Sequence, residues 1–186
     1  MVIPLKEIIN LEKEDKEKYE YLLQQIKTFD AKNSDVVSYL KTKAFEHEKR
    51  NASRSFLHFS DNGELLGYFT LCVKNLDFTQ AVNATTKRKI NGFKSDVNSA
   101  VVFLIGQLGR DINRSEQGYG DELLQIALKY LFTAQAIVGI RYCLVETENS
   151  QSNEKVINFY IKHGFSFLQV DKDDNYQQLV MKMSNN

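Results

Sequence analysis

The sequence predicts an α/β fold built on a mixed sheet. Between Ala100 and Thr147 a nearly continuous apolar run, "AVVFLIGQL", leads through a glycine-containing turn into a long amphipathic segment and then a second apolar run, "IRYCLVET". That order favours two parallel strands joined by a right-handed helical crossover. Upstream, "SRSFLHF" and "ELLGYFTLCV" flank the turn-forming cluster "SDNG", which is a hairpin signature and therefore antiparallel. A mixed sheet accommodates both. The chain of 186 residues suits a single domain, 1–186, with one sizeable core.

The remaining elements follow in order. The segment "LEKEDKEKYEYLLQQIKTF" sets Tyr19, Leu22, Leu23 and Ile26 on one helical face, and Ser34 or Asp35 is placed to cap a second helix reaching about Arg50. Asn75 to Ser99 is polar, carries the basic cluster Lys87, Arg88 and Lys89, and reads as a solvated excursion holding a helix. The Ala100–Leu108 run suits a strand buried on both faces. Past the glycine turn, Leu123, Leu124, Ala127, Leu128, Leu131 and Phe132 recur at helical spacing until Gly139 closes the helix. "NEKVINFYIKHGF" is a short helix stopped at Gly164, and "FSFLQV" and "QQLVMKM" close the chain as two strands around "DKDDN".

Lys plus Arg and Asp plus Glu each number 24, so there is no global field to attract nucleic acid or an anionic membrane, and any basic surface must be local. Apolar runs fall well short of the roughly 20 residues that span a bilayer, and no signal-peptide pattern opens the chain, so a cytoplasmic location without membrane association is expected. Cys72 and Cys143 lie in apolar strand-like runs and read as buried thiols. His47, His58 and His163 share no ligand spacing, so no metal is expected.

The stretch "RSEQGYGDELLQIAL" poses the chemical question, because Gly118 and Gly120 stand at the mouth of a helix that glycine would weaken in its interior. A helix start of this kind directs backbone N–H groups at an anion, and Arg114, Ser115 and Gln117 just before it are donors suited to phosphate oxygens. A dinucleotide fold would need a third glycine, and a P-loop a Gly-Lys-Ser/Thr, and neither is present.

Two motifs together resemble the GNAT superfamily of acetyl-CoA-dependent acyltransferases. "SEQGYG", Ser115 to Gly120, matches the Arg/Gln-x-x-Gly-x-Gly/Ala motif except that Ser115 replaces the first Arg or Gln. "NEKVINFYIKHGF" matches Asn-x-x-Ala-x-x-x-Tyr-x-x-x-Gly-Phe at Asn153, Tyr160, Gly164 and Phe165, with Val156 in place of the alanine. The resemblance is close from Ala100 onward and looser before it. It implies a mostly antiparallel central sheet with one splayed parallel pair, flanked by helices, and acetyl-CoA as cosubstrate.

The resemblance also implies roles. Backbone amides of Gln117, Gly118, Tyr119 and Gly120 would hold the diphosphate, with Arg114 able to stand in for the missing first-position donor. Glu116, Asp121 and Glu122 add negative charge there, and Asp121 counts among the cofactor-contacting positions. The strand end at Leu108 and Arg110 would pair with pantetheine as an added strand does. Asn153 would anchor the pantetheine or phosphate region, and Tyr160 would protonate the leaving thiolate. Glu146 is the first choice for a base, with Glu148 and Asp111 as rivals. An α-amine needs little help from a base, because its pKa near 7.7–8.0 leaves it substantially neutral, whereas a lysine-like amine is about one part in a thousand neutral near pH 7.4.

For the acceptor, a primary amine of a small molecule or peptide leads. Acetylation of the α-amine of aminoacyl-tRNA is the alternative, since the hairpin, the polar insertion and the closing helix look like the branch that includes tRNA-acetylating toxins. Lys41, Lys43, Lys49, Arg50, Arg54, Lys87, Arg88, Lys89 and Lys94 are the basic residues a tRNA would use. A noncatalytic acyl-CoA-binding domain is a third reading, and a homodimer is allowed by all three.

Overall fold

The chain's single proline decides where its first helix begins. In the computed structural model, which describes residues 1–93, 96–116 and 118–183, strand β1 (Val2–Pro4) is three residues long. Pro4 then leads from extended backbone (φ −61°, ψ 137°) into α1 (Leu5–Glu14). The expected single helix across Leu11–Phe29 is instead two. Asp15, at φ −151° and ψ 86°, ends α1 and caps α2 (Lys16–Thr28), its carboxylate accepting from the Lys18 amide at 3.1 Å. Leu22 and Ile26 are buried, and Tyr19 and Leu23 pack partly against them.

The second expected helix reaches Arg50, but in three pieces: α3 (Ser34–Ser38), a π turn (Tyr39–Lys43) and α4 (Ala44–Lys49). Its cap is Asn33 rather than Ser34 or Asp35, with Oδ1 accepting from the Asp35 amide at 2.8 Å. The hairpin forms as read, β2 (Arg54–Phe59) against β3 (Leu65–Asp77), and β1 adds antiparallel to β2. The Asn75–Ser99 excursion begins later and is better anchored than its polarity suggests. β3 runs on to Asp77, and α5 (Ala84–Asn91) sends Ile90 into the core beside Phe78 and Val82.

β4 (Ser99–Arg110), α6 (Tyr119–Val138) and β5 (Tyr142–Glu148) supply the strand, helix and strand of the central motif, and β4 and β5 are parallel. β4 is covered less evenly than a strand buried on both faces: Val102 is fully buried but Val101 is 57% exposed. α7 (Glu154–Lys162), β6 (Ser166–Val170) and β7 (Tyr176–Lys182) complete the chain, with β7 antiparallel to both β5 and β6. The seven strands order as β1-β2-β3-β4-β5-β7-β6, a mostly antiparallel sheet with one parallel pair.

By its contacts the chain divides into two compact units, Met1–Cys72 with Gly106–Lys129, and Val73–Ile105 with Tyr130–Asn186. The first packs α1, α2 and the α3–α4 segment on β2 and β3 around Phe29, Leu40, Leu57, Phe59 and Tyr68. Tyr68 keeps its hydroxyl satisfied there by donating to the Val36 carbonyl at 2.5 Å. The second unit closes around Leu76, Val102, Leu144 and Val180, each such side chain contributing about 1.5–3 kcal/mol by leaving water. Cys143 lies fully buried in the second unit, whereas Cys72 is only half-buried, because its strand carries it toward the open end of the hairpin.

Candidate functional site

Strand β4 has to deliver its C-terminal end close to a neighbouring backbone, and two glycines permit that. A Cβ on Gly67 would stand 2.8 Å from the Gly109 carbonyl oxygen, and one on Gly109 would stand 2.3 Å from Val36 Cγ1. The turn that follows is fixed by Asp111, which is fully buried. Its carboxylate accepts from the amides of Asp30 (3.1 Å), Asn113 (2.8 Å) and Arg114 (3.0 Å), and its own amide donates to the Leu66 carbonyl at 2.8 Å. Asp111 is thus the clamp of the turn, fully buried and accepting from three backbone amides.

Past this clamp the predicted anion loop opens. Arg110, the last residue of β4, donates from Nη1 to both the carbonyl and the hydroxyl oxygen of Ser115, 3.1 Å each, while the Ser115 hydroxyl donates to the Asp111 carbonyl. Arg114 points elsewhere: its Nη2 donates to Thr28 Oγ1 at 2.7 Å, and its Nη1 stands 3.8 Å from the Asp111 carboxylate. The cation at Ser115 is therefore Arg110, and Arg114 is tied to α2. Gln117 lies outside the described residues. Gly118 sits at φ +95° with nothing within 4 Å of where a Cβ would be, so this position needs glycine for its backbone. The Tyr119 amide donates to Glu116 O at 3.2 Å and the Asp121 amide to Gly118 O at 2.9 Å, bonds that shape the first turn of α6 and engage two of its donors.

The Tyr119 side chain turns back onto β2. Its hydroxyl bonds His58 Nδ1, and the two rings stack at 5.7 Å and 20°. Burial lowers the His58 pKa, the N-terminal amine lowers it further, and Glu122 works against both; burial also pushes the Tyr119 phenol up. A cavity of about 570 Å³ opens beside this contact, lined in part by His58, Arg114, Ser115, Gly118, Tyr119 and Glu122. Nothing in the sequence pattern singles out His58.

In the second unit the parallel ladder is short. Its register pairs Phe103 with Cys143, Leu104 with Leu144 and Ile105 with Val145. β5 continues to Glu148 on its β7 side, and β4 continues through Leu108 to Arg110. Glu146 is the first β5 residue beyond the ladder, and its carboxylate is engaged on both oxygens. Lys74 Nζ donates to Oε1 at 2.7 Å and Oε2 at 2.6 Å, and Gln178 Nε2 donates to Oε1 at 2.7 Å. Gln178 is held in turn by Gln169, whose Nε2 donates to Gln178 Oε1 at 2.6 Å and whose Oε1 accepts from the Thr79 amide at 2.8 Å. Lys74 was not legible as a partner of Glu146, because β4 separates β3 from β5 in the strand order.

Tyr160, on α7, is 8% exposed and packs edge-on against Phe159 and Phe165. Burial, with the Cys143 thiol a lesser cause, pushes its phenol well above the ordinary value, so it stays protonated across the neutral range. Asn153 precedes α7 in a short 3-10 turn, where Nδ2 donates to the Glu148 carbonyl at 3.1 Å and ties the turn to the end of β5. Glu148 itself is exposed. Among the described residues no group of His, Cys, Asp and Glu is placed to hold a metal ion, and no helix is long and apolar enough to cross a membrane.

No protein-family model matches the chain, and no curated protein sequence does. Solved structures do. The toxin AtaT complexed with acetyl-methionyl-tRNAfMet is similar at TM-score 0.65 and 23% identity, over 84% of this chain and 86% of that one. A Tyr-to-Phe variant of KacT is similar at TM-score 0.64 and 24% identity, over 85% and 87%. AtaTR bound with AcCoA is similar at TM-score 0.61 and 23% identity, over 85% of each chain. At these identities the likeness establishes the fold, and the chain has the GNAT acetyltransferase fold.

Proposed function

We propose that this chain is an acetyl-CoA-dependent N-acetyltransferase whose acceptor is the α-amine of an aminoacyl-tRNA. The observation that carries the first half is the end of the β4–β5 ladder at Ile105 and Val145, after which β4 runs on to Arg110 and turns through a positive-φ glycine into α6. A strand edge left unpaired by its parallel neighbour is what an extended pantetheine would use, and a helix start with a positive-φ glycine and a cation is what a diphosphate would use. The residues fit that ligand. We assign the amides of Gly118 and Gly120, with the Arg110 guanidinium at Ser115, to the phosphates, and the edge at Leu108 to pantetheine. Asp121 and the acidic Glu116 weaken anion binding there by about 0.3–1 kcal/mol each.

The thioester supplies the acetyl group. Tyr160, kept protonated by burial, donates its phenolic proton to the departing sulfur and regains one from the ammonium formed on the acceptor. Asn153 anchors the chain segment on which Tyr160 follows. Glu146 is bound to Lys74 on both oxygens, so proton removal from an outside acceptor must rely on an amine already neutral, which the α-amine is and a lysine-type amine is not. This favours an aminoacyl ester over the small-molecule or peptide amine that composition alone put first. The similar toxin structure that holds acetyl-methionyl-tRNAfMet supports the same order.

The test is made in cells. Brief expression is expected to arrest growth, and tRNA recovered afterwards is expected to release N-acetylated amino acid on mild alkaline hydrolysis. Unmodified tRNA with continued growth would turn the assignment toward a small amine, and no acetylated product of any kind would leave the acyl-CoA-binding reading.

A further inference from the structure

Lys74 places its ammonium on both oxygens of the Glu146 carboxylate, and that carboxylate stands at the first β5 position past the parallel ladder. Its side chain remains 39% exposed, while Glu146 is 18% exposed. A purely structural pair could sit anywhere on the sheet. This one belongs to a chain of hydrogen bonds that holds each member in one orientation. Gln178 Nε2 fixes Glu146 at 2.7 Å, Gln169 Nε2 fixes Gln178 Oε1 at 2.6 Å and the Asp77 carbonyl at 2.7 Å, and Thr79 Oγ1 closes the row on Gln169 at 3.0 Å. An amine and a proton acceptor are thereby oriented together one residue past Val145, where the parallel ladder ends.

We propose that Lys74 is a self-acetylation site, an internal acceptor that the enzyme modifies with its own acetyl-CoA. The inference rests on the acetyltransferase reading and extends it from an outside amine to one carried by the chain. In the step, the Lys74 ammonium gives one proton to Glu146, which passes it to water. The freed amine attacks the thioester carbonyl, the N–C bond forms and the C–S bond breaks, and the second nitrogen proton ends on the departing sulfur. Acetyl-CoA and the lysine ammonium thus become the acetyl amide, free CoA thiol and one released proton, with no oxidant or further reactant. The product has lost its charge, so Glu146 is left with the Gln178 amide alone, and the lysine no longer competes with an acceptor ammonium for that carboxylate.

The full-length protein is incubated with acetyl-CoA and no acceptor, then denatured, freed of cofactor and mapped by tandem mass spectrometry. One acetyl group is expected on Lys74, appearing at a rate independent of protein concentration, ahead of the exposed Lys41 and Lys49. Glu146→Gln is expected to slow it by roughly 100-fold, the low end of what a positioned proton acceptor contributes. An unmodified Lys74, or acetyl spread evenly over surface lysines, overturns the proposal. Thiol release with aminoacyl-tRNA is measured in parallel: release with Lys74 unmodified sinks the self-acetylation alone, and no release with Lys74 unmodified sinks the enzyme reading with it.

Discussion

Arg110 holds Ser115 from the end of β4, its Nη1 3.1 Å from both the carbonyl and the hydroxyl oxygen. At Ser115 the sequence departs from the acetyltransferase motif it resembles, and the structure returns a guanidinium to that place from five residues upstream. Arg110→Ala is therefore expected to weaken acetyl-CoA binding by roughly 10–100-fold, as loss of a charge-assisted contact worth about 1.5–3 kcal/mol does. Arg114→Ala is expected to lower the melting temperature with a smaller effect on affinity, because its partners are Thr28 and Asp111. Calorimetric titration and thermal melts on both variants separate the two.

Gly118 and Gly67 are glycines for different reasons, and alanine should distinguish them. At Gly118 the cost is the positive φ alone, about 1–2 kcal/mol, since a Cβ there meets nothing. At Gly67 the Cβ would press on the Gly109 backbone oxygen at 2.8 Å, and the sheet itself must move. Denaturant titration is expected to show Gly67→Ala as the more destabilised of the two.

His58 and Tyr119 link the loop to pH. His58 has a folded-state pKa below its unfolded value near 6.5, so the stability it contributes is complete above that value and is lost as pH falls through the folded pKa. Protonation also takes from Nδ1 the lone pair that receives the Tyr119 hydroxyl. Melting temperature is expected to fall between pH 7 and pH 5 in the native chain and to fall less in His58→Gln. Equal slopes for the two would assign the acid sensitivity to other groups.

Tyr160→Phe keeps the ring among Phe159 and Phe165 and removes only the acid. Turnover is expected to drop by about 100- to 10,000-fold, with acetyl-CoA affinity within about twofold of the native chain. Because burial raises the phenol, the native pH profile is expected to show no alkaline loss from this residue below pH 10.

Elements with strong periodicity were legible. The hairpin, the strand–helix–strand unit and both glycine stops at Gly139 and Gly164 follow from alternation, amphipathic spacing and positive φ. The break at Asp15 was hidden because its charged surroundings carry a helical pattern straight through it. At the candidate site, the loop and Tyr160 could be named from motif spacing, but their partners could not. Whether Arg110 or Arg114 reaches Ser115 depends on which way the turn rotates around the buried Asp111. That Glu146 meets Lys74 depends on a strand order that sets β4 between their strands.

The central claim is settled most directly by mixing the purified chain with acetyl-CoA and aminoacyl-tRNA and following free CoA thiol together with the hydrolysed amino acid. The account predicts one thiol released per N-acetylated amino acid, with both signals nearly abolished in Tyr160→Phe. Thiol release at the same rate without tRNA, or none with it while acetyl-CoA still binds, would contradict it.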